Sequence, residues 1–277
     1  MSNGFDRLAR PYRWMEYLSF GRALEHCRFH FLPDLIGTRN ALLLGDGDGR
    51  FAARLLRSAP LAQVHAVDSS AKMLAALKQR CIAAGPGDRV SVYVADLSRE
   101  FPGTLQQQRF DLVTTHFFLD CLQEQQIEAM VLRLQPLLSH DARWIVSEFN
   151  VPDSAMRGPA KLLVGSLYLA FRILTGLRVR RLPDYQSTFE KLGFQRQCRA
   201  FYLGGMLVSE VWRLADPSGS HLRSLESRND EPVHHEARIG GYTAEQSAAG
   251  PETSTGQGRQ TRLPAAGQYA HVHECEL

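Results

Sequence analysis

Between residues 40 and 214, short apolar runs alternate with amphipathic stretches, and that alternation restricts the chain to few folds. Near-continuous apolar strands separated by helical stretches are the pattern of βα units around a buried parallel sheet. The apolar runs predict strands over Ala41–Leu44, Gln63–Val67, Val90–Val94, Phe110–Thr115 and Arg143–Phe149. The stretches between them predict helices over Arg50–Ser58, Ala71–Ala83 and Gln123–Leu137. Two later runs, Gln195–Tyr202 and Met206–Leu214, are separated only by Leu203-Gly204-Gly205. A parallel crossover needs about a dozen residues or more, so this pair must run antiparallel. The expected fold is α/β, with a seven-stranded, mostly parallel sheet that ends in an antiparallel hairpin.

Domain limits follow from where this rhythm begins and stops. Residues 1–40 are expected to form an N-terminal helical cap, 41–214 the main domain, and 150–184 an insertion after the fifth strand. From residue 215 onward the chain is rich in Gly, Ser, Glu, Gln and Arg, and it has no Phe, Trp or Lys. Such a segment buries too little apolar surface to offset its ordering entropy, so 215–277 reads as a disordered tail. Charge is divided along the same boundary. Residues 1–214 hold 27 Lys and Arg against 20 Asp and Glu, whereas 215–277 hold 5 against 9. A mildly basic body suits an acidic substrate or a membrane surface, and ordinary surface variation explains it equally well. No run is long and apolar enough to span a bilayer, and the first ten residues lack the apolar core of a secretory signal. The five cysteines are scattered without metal-ligand spacing, which argues for a reducing cytoplasm and against a structural metal.

The chemistry concentrates at the first strand. Leu42-Leu43-Leu44 runs into Gly45-Asp46-Gly47-Asp48-Gly49, and a helix begins at Arg50. Glycines there permit positive φ and close approach of backbone to a ligand, and a helix N-terminus offers free N–H groups. A dinucleotide fingerprint, GxGxxG, would need glycine at 50, where Arg50 stands. The second strand ends on Asp68-Ser69, where a carboxylate can accept from both hydroxyls of a ribose. The competing reading makes Asp68 or Ser69 the cap of the next helix. A third acid, Asp96, followed by Leu97, stands just past the third strand.

The GxGxG spacing followed by an acid at the second strand's end resembles motif I of class I, Rossmann-like S-adenosylmethionine (SAM)-dependent methyltransferases. That resemblance implies SAM as cofactor. It implies a pocket made by Gly45, Asp46, Gly47, Gly49, Asp68, Ser69, Asp96, Leu97 and His116, with Asp96 on the adenine amino group. An acid two residues before the first glycine is common in the family, and this chain has Leu43 there. The methionyl amino group then needs another partner, either Asp46 or a backbone carbonyl. Phe5-Asp6-Arg7-Leu8-Ala9-Arg10-Pro11-Tyr12 followed by Ser19-Phe20-Gly21 is similar to the N-terminal signature of ubiquinone/menaquinone C-methyltransferases. The implied acceptor is a small lipophilic molecule, quinone-like or phenolic.

Two groups of residues are expected to handle that acceptor. His116 and Asp120 follow the fourth strand and are candidate proton acceptors. A histidine that only lines the pocket and an aspartate that only caps a helix are the structural alternatives. Tyr12 and Tyr17 on one side, and Tyr168 and Phe171 in the insertion on the other, are expected to wall an apolar pocket. The apolar stretch Leu162–Leu174, with Arg172 inside it and Arg178, Arg180 and Arg181 after it, suits either a substrate lid, with peripheral membrane contact, or a packed core helix. The aromatic-flanked Pro-Pro motif of amino-methylating nucleic-acid enzymes is absent, which argues against a nucleic-acid partner. A non-catalytic SAM-fold binding protein and a dinucleotide-dependent oxidoreductase are the rival functions.

Overall fold

The computed structural model describes residues 22–152, 182–215 and 271–273. Helix α1 (Ala23–Phe29) precedes strand β1 (Asn40–Leu44), helix α2 (Arg50–Ser58), β2 (Gln63–Asp68), α3 (Ala71–Ile82) and β3 (Val90–Val94). Then come β4 (Phe110–His116), α4 (Glu124–Leu134), β5 (Leu138–Phe149), α5 (Tyr185–Lys191), β6 (Phe194–Tyr202) and β7 (Leu207–Leu214). The sheet order is β3-β2-β1-β4-β5-β7-β6, with a short edge strand β8 (His271–His273) beyond β6. β1 to β5 are parallel neighbours, and β7 pairs antiparallel with both β5 and β6. This is the expected Rossmann-like sheet with its terminal hairpin. β8 adds an antiparallel partner to β6 from the region read as a disordered tail.

Local chemistry sets the element ends. The Ser70 hydroxyl accepts the Met73 N–H and caps α3. Gln123 and Gln126 form a reciprocal capping box on α4. Pro136 stops α4 early, and residues 135–137 tighten into a 3-10 turn. β5 consequently begins at Leu138, five residues before the expected Arg143. The β6–β7 turn takes positive φ at Leu203, Gly204 and Gly205.

Both faces of the sheet are covered. Leu43, Phe51, Leu55, Leu112 and Ile145 pack on one face. Leu42, Leu44, Val113, Ile127, Trp144, Val146 and Trp212 pack on the other. Each such fully buried large side chain contributes roughly 1.5–3 kcal/mol. Among the described residues, no helix is long and apolar enough to cross a membrane. Cys27, Cys81 and Cys121 are free thiols, whereas Cys198, buried on β6, is disulfide-bonded.

One carboxylate lies inside the second core. Glu210 on β7 is fully buried, and it accepts from Tyr185 Oη at 3.0 Å and Trp212 Nε1 at 3.0 Å, with the Arg199 guanidinium against its other oxygen. A buried charge with all its partners in place is tolerated, and breaking the set leaves the remaining groups uncompensated. Glu210→Ala should lower unfolding stability by about 2–4 kcal/mol in a denaturant titration, since it strands Arg199 and two buried donors. A loss below about 1 kcal/mol would mean that the network is dispensable.

Candidate functional site

At the carboxyl edge of β1 the chain turns sharply into α2. Gly45 and Gly47 adopt φ of 68° and 61°, which a side chain would resist. A Cβ at Gly45 would collide with the Phe118 ring, so the exit loop of β4 lies directly on this glycine. A Cβ at Gly47 would meet nothing within 4 Å, so open space stands in front of the loop. Gly49 forms the N-cap of α2. The loop is clamped from behind: Arg80 on α3 reaches the Asp48 carboxylate at 2.7 Å and its carbonyl at 2.9 Å.

Asp46 is turned toward α2, where one oxygen accepts the Ala52 N–H at 3.0 Å. Its other oxygen, Oδ1, is buried without a partner. Burial pushes the Asp46 carboxyl up to about 7; Asp48 adds to this, and the N–H groups of Ala52 and Phe51 and the Arg28 charge oppose it.

The strand-end acids line the same edge. Asp68 accepts the Ser70 N–H at 2.8 Å and so orders the turn into α3. The helix cap itself is Ser70, one residue beyond the Asp68 and Ser69 of the sequence reading. Asp96 holds the turn after β3 through the Ser98 N–H at 3.1 Å and the Ser98 hydroxyl at 2.6 Å, while Leu97 is buried beside it. Gly45, Asp68 and Asp96 thus stand at the ends of three adjacent parallel strands.

His116 ends β4 with 3% exposure. Its Nδ1 meets Ser147 Oγ at 2.9 Å, and Ser147 in turn contacts Ser209 Oγ at 3.1 Å and the Cys27 carbonyl at 3.4 Å. Burial first, and then the charge of Arg28, hold the imidazole well below its usual proton affinity, so it is neutral. Its Nε2 is buried without a partner. On the other face, the Glu148 carboxylate accepts the backbone N–H of Phe118 at 2.9 Å and of Leu119 at 2.7 Å. It thereby fixes the β4 exit loop, in which Phe117 takes a φ of 54°. Burial and the neighbouring Asp120 raise the Glu148 carboxyl well above the usual range. Asp120 lies in the next turn and accepts from Cys121 Sγ at 3.4 Å.

The fold therefore brings Gly45, Asp46, Gly47, Gly49, Asp68, Asp96, His116 and Asp120 to one edge of the sheet. Tyr12, Tyr17, Tyr168 and Phe171 lie outside the described residues. Sequence reasoning missed Glu148, Ser147, Arg28 and Phe118. A signal for the first two existed: Ser147-Glu148 interrupts the otherwise apolar run that ends β5.

Residues 41–141 match the family model described as Methyltransferase domain. No curated protein matches the chain. The fold is similar to that of the mitomycin 7-O-methyltransferase MmcR, at 16% identity and a TM-score of 0.55 over 77% of this chain and 61% of that one. It is similar to an O-methyltransferase family protein from Burkholderia thailandensis, at 14% identity and a TM-score of 0.57 over 78% and 64%. It is also similar to CalO1, a methyltransferase in calicheamicin biosynthesis whose structure is an SAH-bound form, at 20% identity and a TM-score of 0.51 over 74% and 56%. The chain thus spans less than two thirds of the length of these structures.

The raised Asp46 and Glu148 carboxyls carry a pH signature. Both groups hold their protons more tightly folded than unfolded, so their contribution to stability is full below about pH 4 and is lost as pH rises, through about 7 for Asp46. The disfavoured imidazolium of His116 acts in the opposite sense, adding stability as pH rises through about 6.5. The difference between wild type and Asp46→Asn isolates the carboxyl. From pH 5 to pH 8 the ligand-free wild type should lose at least about 2–4 °C of melting temperature relative to the variant, the shift that ~1 kcal/mol produces in a domain of this size. Parallel curves in differential scanning fluorimetry would contradict the burial of that carboxyl.

Proposed function

We propose that the chain binds SAM and transfers its methyl group to a small acceptor: residues 41–141 match a methyltransferase-domain model, and the strand order is that of a Rossmann-like sheet. One observation carries this reading: a glycine loop with open space before Gly47, flanked at the same sheet edge by Asp68 and Asp96. In an open α/β sheet, ligands bind where the strand order reverses, and here that crevice lies between β1 and β4. The adenosine rests along the tips of β2 and β3, with Asp68 on the ribose hydroxyls and Asp96 beside the adenine. Arg50, where a dinucleotide fingerprint has its third glycine, is instead tied to Asp48 and Glu25, which disfavours a nicotinamide cofactor.

Bound SAM supplies a methyl group already activated by the positive sulfonium. The protein is left to orient the acceptor, exclude water and receive a proton. Glu148 fixes the β4 exit loop and so sets where Phe117, Phe118 and Asp120 stand. Asp120 takes the proton of the attacking hydroxyl in this reading. His116 suits that role less, because burial and Arg28 disfavour its protonated form.

The acceptor in this reading is lipophilic, a phenol or quinol. Phe117 and Phe149 pack at 5.3 Å at the ends of β4 and β5, and in this reading the edge of that aromatic pair borders the acceptor. Tyr12 and Tyr17, with Tyr168 and Phe171, complete the pocket, and the Leu162–Leu174 stretch acts as its lid and as a peripheral membrane contact. Small-molecule O-methylation by the mitomycin enzyme of like fold is consistent with this class of acceptor.

Calorimetry tests the cofactor. SAM and S-adenosylhomocysteine should bind and NADH should not, and Asp68→Ala should weaken binding by about 1.5–3 kcal/mol. Transfer of labelled methyl from SAM should appear with phenols or quinols and not with sugars. Absence of SAM binding would overturn the function, and a polar acceptor would overturn the lipophilic reading alone.

A further inference from the structure

The sequence holds five cysteines. Cys27, Cys81 and Cys121 are free thiols, and Cys198 on β6 is disulfide-bonded. Elimination leaves Cys275 as its partner. Cys275 lies outside the described residues, and the strand just before it is described. β8 pairs antiparallel with β6, with His273 opposite Arg199 and Val272 opposite Ala200. Continued by two residues, this register reaches Gln197, the neighbour of Cys198. Adjacent strands lie about 5 Å apart, and a disulfide spans about 4.4–6.8 Å between Cα atoms, so the register suits this pairing.

Without a covalent bond, little holds β8 in place. It pairs through three residues only, and of His271, Val272 and His273 only the valine is apolar. Residues 215–270 separate it from β7, so each docking event must close a long loop. A disulfide beside the strand removes most of that cost. We propose that Cys198 and Cys275 form a reversible latch that closes β8 over the outer edge of β6. Closing the latch joins the two sulfurs and passes two electrons and two protons to a low-molecular-weight disulfide, which leaves as two thiols. A low-molecular-weight dithiol reverses the exchange and leaves as its own disulfide. Opening frees β8 and uncovers the edge N–H and C=O groups of β6. The latch stands apart from the β1/β4 crevice, because β5 and β7 lie between β4 and β6.

Peptide mapping of the full chain, incubated with glutathione disulfide and then alkylated, tests the pairing. Trypsin cleavage after Arg196, Arg199 and Arg262 should give peptide 197–199 joined to peptide 263–277, and dithiothreitol should separate them. Alkylated Cys198 and Cys275 in that sample, a bond from Cys198 to another cysteine, or a link between two chains would overturn the pairing. Hydrogen exchange tests the latch. The amides of residues 271–273 should exchange about tenfold or more faster once the native chain is treated with dithiothreitol. In Cys275→Ser, which leaves the core residue Cys198 in place, they should exchange equally fast with and without it. Unchanged protection of β8 in the reduced chain, or a bond that yields to dithiothreitol only after unfolding, would overturn the latch.

Discussion

The parallel pairing of β1 with β2 on one side and β4 on the other is the constraint on which the rest depends. It places three strand ends at one level and opens a crevice where the chain's winding reverses. A parallel strand in this position is covered on both faces, and Leu42, Leu43 and Leu44 are accordingly all buried. The turn that follows needs backbone conformations that glycine supplies most cheaply; Gly45 leaves room for the Phe118 ring, and open space stands before Gly47.

Around this crevice the buried polar groups divide by face. On the α2 face, His116, Ser147 and Ser209 form a hydrogen-bonded row across β4, β5 and β7, closed by the Cys27 carbonyl. On the opposite face, Glu148 anchors the β4 exit loop and Glu210 gathers Tyr185, Trp212 and Arg199. Buried polar networks of this kind fix one arrangement of the strands that carry them. The first row ends in an imidazole nitrogen that still lacks a partner, and the Glu148 set fixes backbone beside the glycine loop. The Glu210 network is closed within the core and belongs to stability.

Strand positions and the glycine loop were legible in the sequence because both arise from local patterning. The βα alternation located β1 to β5, and the three-residue gap at Leu203 to Gly205 required the antiparallel β6–β7 pair. Boundaries failed where a local stop outweighed periodicity, as at Pro136, which shortened α4 and lengthened β5. The β6–β8 pairing was invisible because a three-residue strand has no periodicity to read. That Asp46, Asp68, Asp96 and His116 share one sheet edge could be read from their positions after predicted strands. Glu148 could not be assigned a part, because its role depends on a backbone loop some thirty residues earlier in the chain. The neutral state of His116 likewise follows from tertiary burial, which no local pattern encodes.

A crystal structure of the protein soaked with S-adenosylhomocysteine tests the central claim most directly. The account predicts ligand density along the carboxyl edge from β3 to β4, with the ribose hydroxyls on Asp68 and the thioether over Gly47. Density elsewhere, or a sheet edge that stays empty at saturating ligand, would contradict it.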